Sequence, residues 1–250
     1  MKPPSPQLQL RQRRVPVVVA LMAGLAAIVT GACDDEVLDR ERGAELFESP
    51  ALSTSRFNKF SCATCHAKVA GGAAVIVGRW DSGYNLDGVT ARASWWGGGA
   101  VRLLDAINVC VEQFMGGRAL VAADPATRQL GAFLAEGAPA TPLPAAPFTV
   151  AKNTTSLTEL TGDPGKGAAV YVAGCQRCHG AAHTGAGRLD ATVSVIPEDT
   201  IRLFPDRARA AFVEKLRHGR FFNIGGIMPF YTLEALSDAD VADLMAYVGL

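Results

Sequence analysis

Apolar residues recur at intervals of three and four over Ala100–Met115, where Val101, Leu104, Ile107, Val111 and Phe114 form one stripe and predict a helix. A second helix is predicted over Pro125–Glu136, with Asp124 as N-cap and Leu130, Phe133 and Leu134 on its buried side. Further on, Asp206–His218 reads as helical. Ser237–Val248 reads as a last helix, with Ser237 as N-cap and Asp238 and Asp240 in the first turn, where the dipole favours them. Arg40–Phe47 reads as a helix start, preceded by a short acidic tether at Asp34–Asp39. Between these segments the periodicity is lost. Ser49–Asn58, Gly180–Gly187 and Gly219–Tyr231 read as loops. Ala67–Gly99 is rich in glycine yet carries Trp80, Tyr84, Trp95 and Trp96, so it needs something apolar to cover. Gly137–Pro147 holds Pro139, Pro142, Pro144 and Pro147 among alanines, which predicts a semi-rigid linker and a domain boundary.

The chain overlays on itself. Gly43-Ala44-x-x-Phe47 matches Gly167-Ala168-x-x-Tyr171, and Ala132-Phe133-Leu134 falls near Ala246-Tyr247-Val248 with a slip of one residue. Each half contains one C-x-x-C-H: Cys62-Ala63-Thr64-Cys65-His66 and Cys175-Gln176-Arg177-Cys178-His179. Forty-nine positions separate His66 from Met115, and forty-nine separate His179 from Met228. The aromatic residue precedes the motif by 15 positions in the first half and by 4 in the second, an 11-residue insertion. C-x-x-C-H is the mark of covalent haem attachment. Two thiols three positions apart can lie on one side of a helical turn and add to the two vinyl groups of one haem. The adjoining histidine then supplies a proximal ligand. Two such motifs predict two covalently bound haem c groups, held by Cys62, Cys65 and His66 and by Cys175, Cys178 and His179. Four-cysteine zinc binding is the alternative use of paired C-x-x-C.

With these features each half resembles a class I c-type cytochrome, over roughly residues 40–136 and 161–250. The resemblance rests in the second half on Gly-x-x-x-Tyr171, Cys175-x-x-Cys178-His179-Gly180, Met228-Pro229-Phe230 and Leu236-Ser237-Asp238-x-Asp240. It implies an all-α fold of two tandem cytochrome c domains, each wrapping one haem: domain 1 at 38–136, a Pro/Ala-rich linker at 137–160 and domain 2 at 161–250. It also implies that Met228 is a sixth iron ligand and that the terminal helix crosses the first helix of its domain. The first half departs from the pattern: no glycine follows His66, the insertion intervenes, and Met115-Gly116 stands where Met-Pro is expected. Met115 is the expected sixth ligand there, with Cys110 as the alternative. A thioether suits an electron carrier, whereas a thiolate would lower the potential and mark an enzyme. His183 and His218 are spare ligands assigned to a solvated loop and to a helix end or propionate. Arg92, Trp95 and Trp96, and Arg188, Arg220 and Tyr231, are candidate propionate donors.

Charge and the N-terminus set the compartment. The chain has 24 basic and 24 acidic residues, but Lys2, Arg11, Arg13 and Arg14 fall in a leading segment without acids. The remainder is therefore mildly acidic, and no Lys/Arg block points to nucleic acid. Arg11, Arg13 and Arg14 precede the apolar run Val17–Val29, as in a signal peptide of residues 1–32. Thr30-Gly31-Ala32-Cys33 resembles a lipobox, with Thr30 in place of the usual leucine, so Cys33 is the expected lipidated first mature residue. Cleavage without lipid and an uncleaved anchor remain open, as does a Cys33–Cys110 disulfide in the former case. The expectation is an exported, periplasmic-side, lipid-tethered dihaem cytochrome that passes single electrons between redox partners through transient docking. It is not expected to be an enzyme. The alternative is a dihaem oxidoreductase acting on reduced sulfur compounds, resembling thiosulfate dehydrogenase, with Cys110 on the first haem. A dihaem peroxidase or a sensor would need an open iron.

Overall fold

Two helix crossings organise the molecule, and each is made through a glycine. The computed structural model describes residues 35–70, 80–222, 224 and 226–250. The expected signal peptide at 1–32 and the expected lipid site Cys33 lie outside the described residues. The first helix, α1, covers residues 35–48 and α4 covers Pro125–Ala135. A Cβ on Gly43 would stand 2.1 Å from the carbonyl oxygen of Gln129 on α4. Helix α5 (Pro164–Gly174) meets α9 (Asp238–Val248) in the same way, and a Cβ on Gly167 would stand 2.0 Å from the carbonyl oxygen of Asp243. Only a residue without a side chain permits that approach. One turn along, the aromatic partners also repeat. Phe47 and Phe133 have ring centroids 5.4 Å apart, and Tyr171 and Tyr247 have theirs 5.5 Å apart. The sequence repeat is thus matched by a repeated contact.

Each crossing has its own core. Phe47, Leu52, Val89, Val111, Leu130 and Leu134 are buried together in the first half. In the second, Tyr171, Val213, Leu216, Val241, Leu244 and Met245 are buried together, with α8 (Ala208–His218) joining α5 and α9. The remaining described α-helices are α2 (Cys62–Cys65), α3 (Leu103–Gln113), α6 (Gln176–His179) and α7 (Glu198–Leu203), beside short 3-10 turns. Among the described residues no strand forms; the extended pairings are the isolated bridges Arg92–Leu143 and Trp95–Ala100. None of these helices is long and apolar enough to cross a membrane.

Several local expectations change. The acidic tether at Asp34–Asp39 is helical from residue 35 onward. Acids in a first turn suit the helix dipole, and Asp39 pairs with Arg128 of α4 at 2.7 Å. Helix α3 starts only at Leu103, leaving Val101 exposed outside the stripe. Helix α7 falls where no helix was expected.

The proline-rich stretch is not a free connector. Leu143 N–H donates to the Ala91 carbonyl (2.8 Å) and its own carbonyl accepts from Ala93 N–H (3.0 Å). The Tyr84 hydroxyl donates to the Pro147 carbonyl. On the other side, Leu233 N–H donates to the Thr149 carbonyl (3.0 Å), and Thr149 N–H donates to Glu234 (3.0 Å). Leu157 is buried in the second core. Residues 39–250 therefore form one compact unit, and the segment at 137–160 is a strap laid across both halves rather than a gap in the contacts.

Candidate functional site

Each C-x-x-C-H forms one short helical turn at the wall of an apolar cavity. In the first half, Ser61 caps α2, exchanging bonds with Thr64, whose hydroxyl accepts from Ser61 N–H at 3.0 Å. This turn brings Cys62, Cys65 and His66 to a cavity of about 170 Å³. In the second half, α5 ends at Gly174 and α6 begins at once, which brings Cys175, Cys178 and His179 to a cavity of about 70 Å³. Neither pair is closed into a disulfide. Burial pushes Cys62 up to about 11 and Cys65 and Cys175 up to about 12, so they are neutral thiols at neutral pH.

The two histidines are anchored alike. His66 Nδ1–H donates to the Tyr84 carbonyl at 2.8 Å, and His179 Nδ1–H donates to the Ser194 carbonyl at 2.9 Å. A carbonyl can only accept, so the bond fixes the tautomer and places the ring lone pair on Nε2, the nitrogen a metal would use. Gly83 lies flat against the His66 ring; a Cβ there would come within 2.2 Å of Cε1. Burial lowers the His179 pKa, which keeps the ring neutral.

Methionines reach both cavities. Met228 lines the second, and its N–H donates to the carbonyl of Gly219, the residue that closes α8. Met115 lines the first. It follows α3 in a clasp: its N–H donates to the Cys110 carbonyl (3.1 Å) and its carbonyl accepts from the Ser53 hydroxyl (2.9 Å). Asn108 ties down the chain beyond it, exchanging bonds of 2.8 and 3.0 Å with Leu120. Cys110 lines the same cavity, where burial pushes its thiol up to about 12. The first cavity therefore holds both expected sulfur donors.

The other expected residues divide. Arg92 and Trp95 line the first cavity, and the buried Trp95 Nε1–H has no hydrogen-bond partner. Such a donor costs about 1–3 kcal/mol unless something accepts from it. A carboxylate in the cavity would accept, which is what a haem propionate offers. Trp96 also lines this cavity, but its indole donates to the Ala106 carbonyl at 3.1 Å. Tyr231 lines the second cavity, with its hydroxyl on the Gly174 carbonyl at 3.0 Å. Arg188 and Arg220 are not brought to either cavity. Arg188 reaches for the Val193 carbonyl, and Arg220 is exposed after α8. Both spare histidines are engaged elsewhere: His183 with Glu198 (2.8 Å), and His218 with Glu214 (2.7 Å) and the Ala151 carbonyl (2.6 Å). Among the described residues no group of three or more His, Cys, Asp or Glu is placed to hold a metal ion, so the paired cysteines do not assemble a zinc site.

The feature that sequence reading missed is that the cavities have a common wall. Cys65, Ser82 and Pro229 line both. Trp80, from the glycine-rich loop of the first half, lines the second cavity; Phe230, from the second half, lines the first. Phe148 of the strap packs between Trp96 and Phe230 with centroids 5.5 and 5.9 Å away. No local pattern announces such contacts, because they join residues far apart in the chain.

Residues 162–248 match the family model described as cytochrome c oxidase, cbb3-type, subunit III. No curated protein matches the chain significantly. The family match supports a c-type cytochrome domain, the kind that binds haem c covalently and transfers electrons. The donor set of the second cavity fits that group: two neutral thiols, an anchored neutral imidazole and a thioether around an apolar space.

Proposed function

We propose that this chain is an exported dihaem c-type cytochrome, built of two tandem class I domains, that passes single electrons between redox partners. The observation that carries this reading is the repetition itself. Each C-x-x-C-H faces an apolar cavity with an anchored histidine and a methionine forty-nine residues further on. Cys62 and Cys65, and Cys175 and Cys178, would hold the two haems covalently, with His66 and Met115 and with His179 and Met228 as iron ligands. When bound, haem c supplies a one-electron iron couple. The chain's own residues set its surroundings. The Tyr84 and Ser194 carbonyls orient the imidazoles, the soft thioethers favour the ferrous state, and the aromatic walls exclude water. Thiol addition of this kind belongs outside the cytoplasm, in keeping with a signal peptide at residues 1–32 and a lipid tether at Cys33. Redox partners would dock transiently on a small surface.

A second reading rests on Cys110, which lines the first cavity beside Met115. In that reading the thiolate binds the first iron and the chain oxidises reduced sulfur compounds. The far-red absorption band of iron–methionine bonding separates the two. On the carrier reading the band diminishes in Met115→Ala and in Met228→Ala and is untouched in Cys110→Ala. If Cys110→Ala alters the first haem while Met115→Ala does not, the carrier reading fails for that half, and thiosulfate oxidation becomes the activity to assay.

A further inference from the structure

We propose that Arg177 and Asp81 form a charge pair on the common wall that tunes both redox sites together, each residue acting across the boundary of its own half. The inference rests on the two-haem reading above. Arg177 is the third residue of the second C-x-x-C-H, yet its guanidinium turns to the first motif. Nη1 donates to the Ala63 carbonyl at 3.1 Å and to the Thr64 carbonyl at 3.2 Å. These are the two central residues of the first C-x-x-C-H. The same nitrogen lies 3.7 Å from a carboxylate oxygen of Asp81, in the loop that follows the first motif. Asp81 in turn lines the second cavity, as do Thr64 and Cys65. The two attachment turns are therefore docked on each other through one guanidinium, and one carboxylate from the first half faces the second site.

Two further ties hold this seam. The Tyr231 hydroxyl lies 3.0 Å from the Gly174 carbonyl and 3.3 Å from the Trp80 carbonyl, and Lys59, just before the first motif, pairs with Asp190 at 3.7 Å. The pair is thus fixed in place against both motifs.

Reduction of a haem iron adds one electron and removes one positive charge. A nearby cation therefore favours the ferrous state and a nearby anion favours the ferric state. Arg177 is 44% exposed and Asp81 only 13%, so solvent screens the arginine more. Removing Arg177 should shift both ferric–ferrous equilibria toward ferric, about two- to fourfold at low ionic strength for a half-screened unit charge. Removing the charge of Asp81 should shift both the other way, and by more.

The test is a spectroelectrochemical titration of the holoprotein with soluble one-electron mediators, at low and high salt. Wild type is compared with Arg177→Met, Arg177→Lys and Asp81→Asn, after haem content has been measured for each. The expected result is that both midpoints fall in Arg177→Met, that Arg177→Lys recovers most of the fall, that both midpoints rise in Asp81→Asn, and that salt shrinks all shifts. Movement of one midpoint alone, in both Arg177→Met and Asp81→Asn, would overturn the proposal. Should Arg177→Met fail to fold, Arg177→Lys and Asp81→Asn decide it, since a purely structural role gives no opposite-signed shift in Asp81→Asn. Fewer than two haems in wild type would sink the two-haem reading as well, an outcome distinct from two haems with one midpoint moved.

Discussion

Replacing Gly167 with alanine tests the helix crossing on which the second half depends. Any glycine-to-alanine change inside a helix gains about 1 kcal/mol from helix propensity. At Gly167 the new Cβ would stand 2.0 Å from the Asp243 carbonyl oxygen, 2.5 Å from its carbon and 2.8 Å from Tyr247 Cβ. All three are backbone or backbone-proximal atoms of α9, so no side chain can swing away, and the helices must part. Overpacking of this kind costs about 1–3 kcal/mol, and a backbone collision between buried helices belongs at or above the upper end. The net expectation is a loss of about 2 kcal/mol. Gly131 in α4 provides the internal control, because a Cβ there meets nothing within 4 Å. Gly131→Ala should keep the propensity gain and stabilise by about 1 kcal/mol. In a domain of this size 1 kcal/mol is worth roughly 2–4 °C in Tm. Thermal unfolding of the holoproteins by circular dichroism should thus place Gly167→Ala about 4–8 °C below wild type and Gly131→Ala about 2–4 °C above it. If Gly167→Ala melts with or above wild type, the close crossing of α5 and α9 is wrong.

Three other changes follow from local chemistry. Ser237 caps α9, accepting from Asp240 N–H at 3.2 Å while Asp240 accepts from Ser237 N–H at 2.9 Å; Ser237→Ala should cost about 1 kcal/mol in urea unfolding. Arg217 is fully buried and donates to the Leu236 carbonyl and to Asp238, each at 2.7 Å, holding the loop between Met228 and α9. Arg217→Met leaves buried carbonyls unpaired and should cost about 3 kcal/mol by the same measurement. Burial would depress the His218 pKa, but Glu214 and the Ala151 carbonyl outweigh it and raise the pKa above its ordinary value. A raised folded pKa contributes stability that is fully present below the unfolded value, near 6.5, and is lost as pH rises through the folded value. Stability should therefore decline as pH rises above about 6.5, and His218→Gln should flatten that part of the profile.

Much of each half could be read from its residues. The resemblance implied that the terminal helix crosses the first helix of its domain, and the crossing is made through Gly167, with Tyr171 against Tyr247 one turn on. Ser237 with Asp240 marked the start of α9, because capping chemistry is local. The spacing from histidine to methionine located Met115 and Met228, and both line the cavities of their motifs. Helix α7 was missed although Glu198 and Asp199 after Pro197 are a usable start signal. The strap was read as a semi-rigid linker and domain boundary because prolines dominate its composition. Its placement comes from Leu143, Phe148 and Leu157, three apolar residues whose partners lie elsewhere in the chain. The same reason hid the common wall. Arg177 looks like a variable residue of its motif until the Ala63 and Thr64 carbonyls are seen opposite it.

The central claim is two covalent haems in one chain, one at each motif. Haem-to-protein ratio and intact mass, measured under denaturing conditions, test it most directly. The protein is produced by export in a host that attaches c-type haem. Wild type is compared with the paired variants Cys62→Ala/Cys65→Ala and Cys175→Ala/Cys178→Ala. The account predicts two haems in wild type and one in each paired variant. One haem per chain in wild type, lost entirely on removal of Cys175 and Cys178 and unchanged on removal of Cys62 and Cys65, would contradict it.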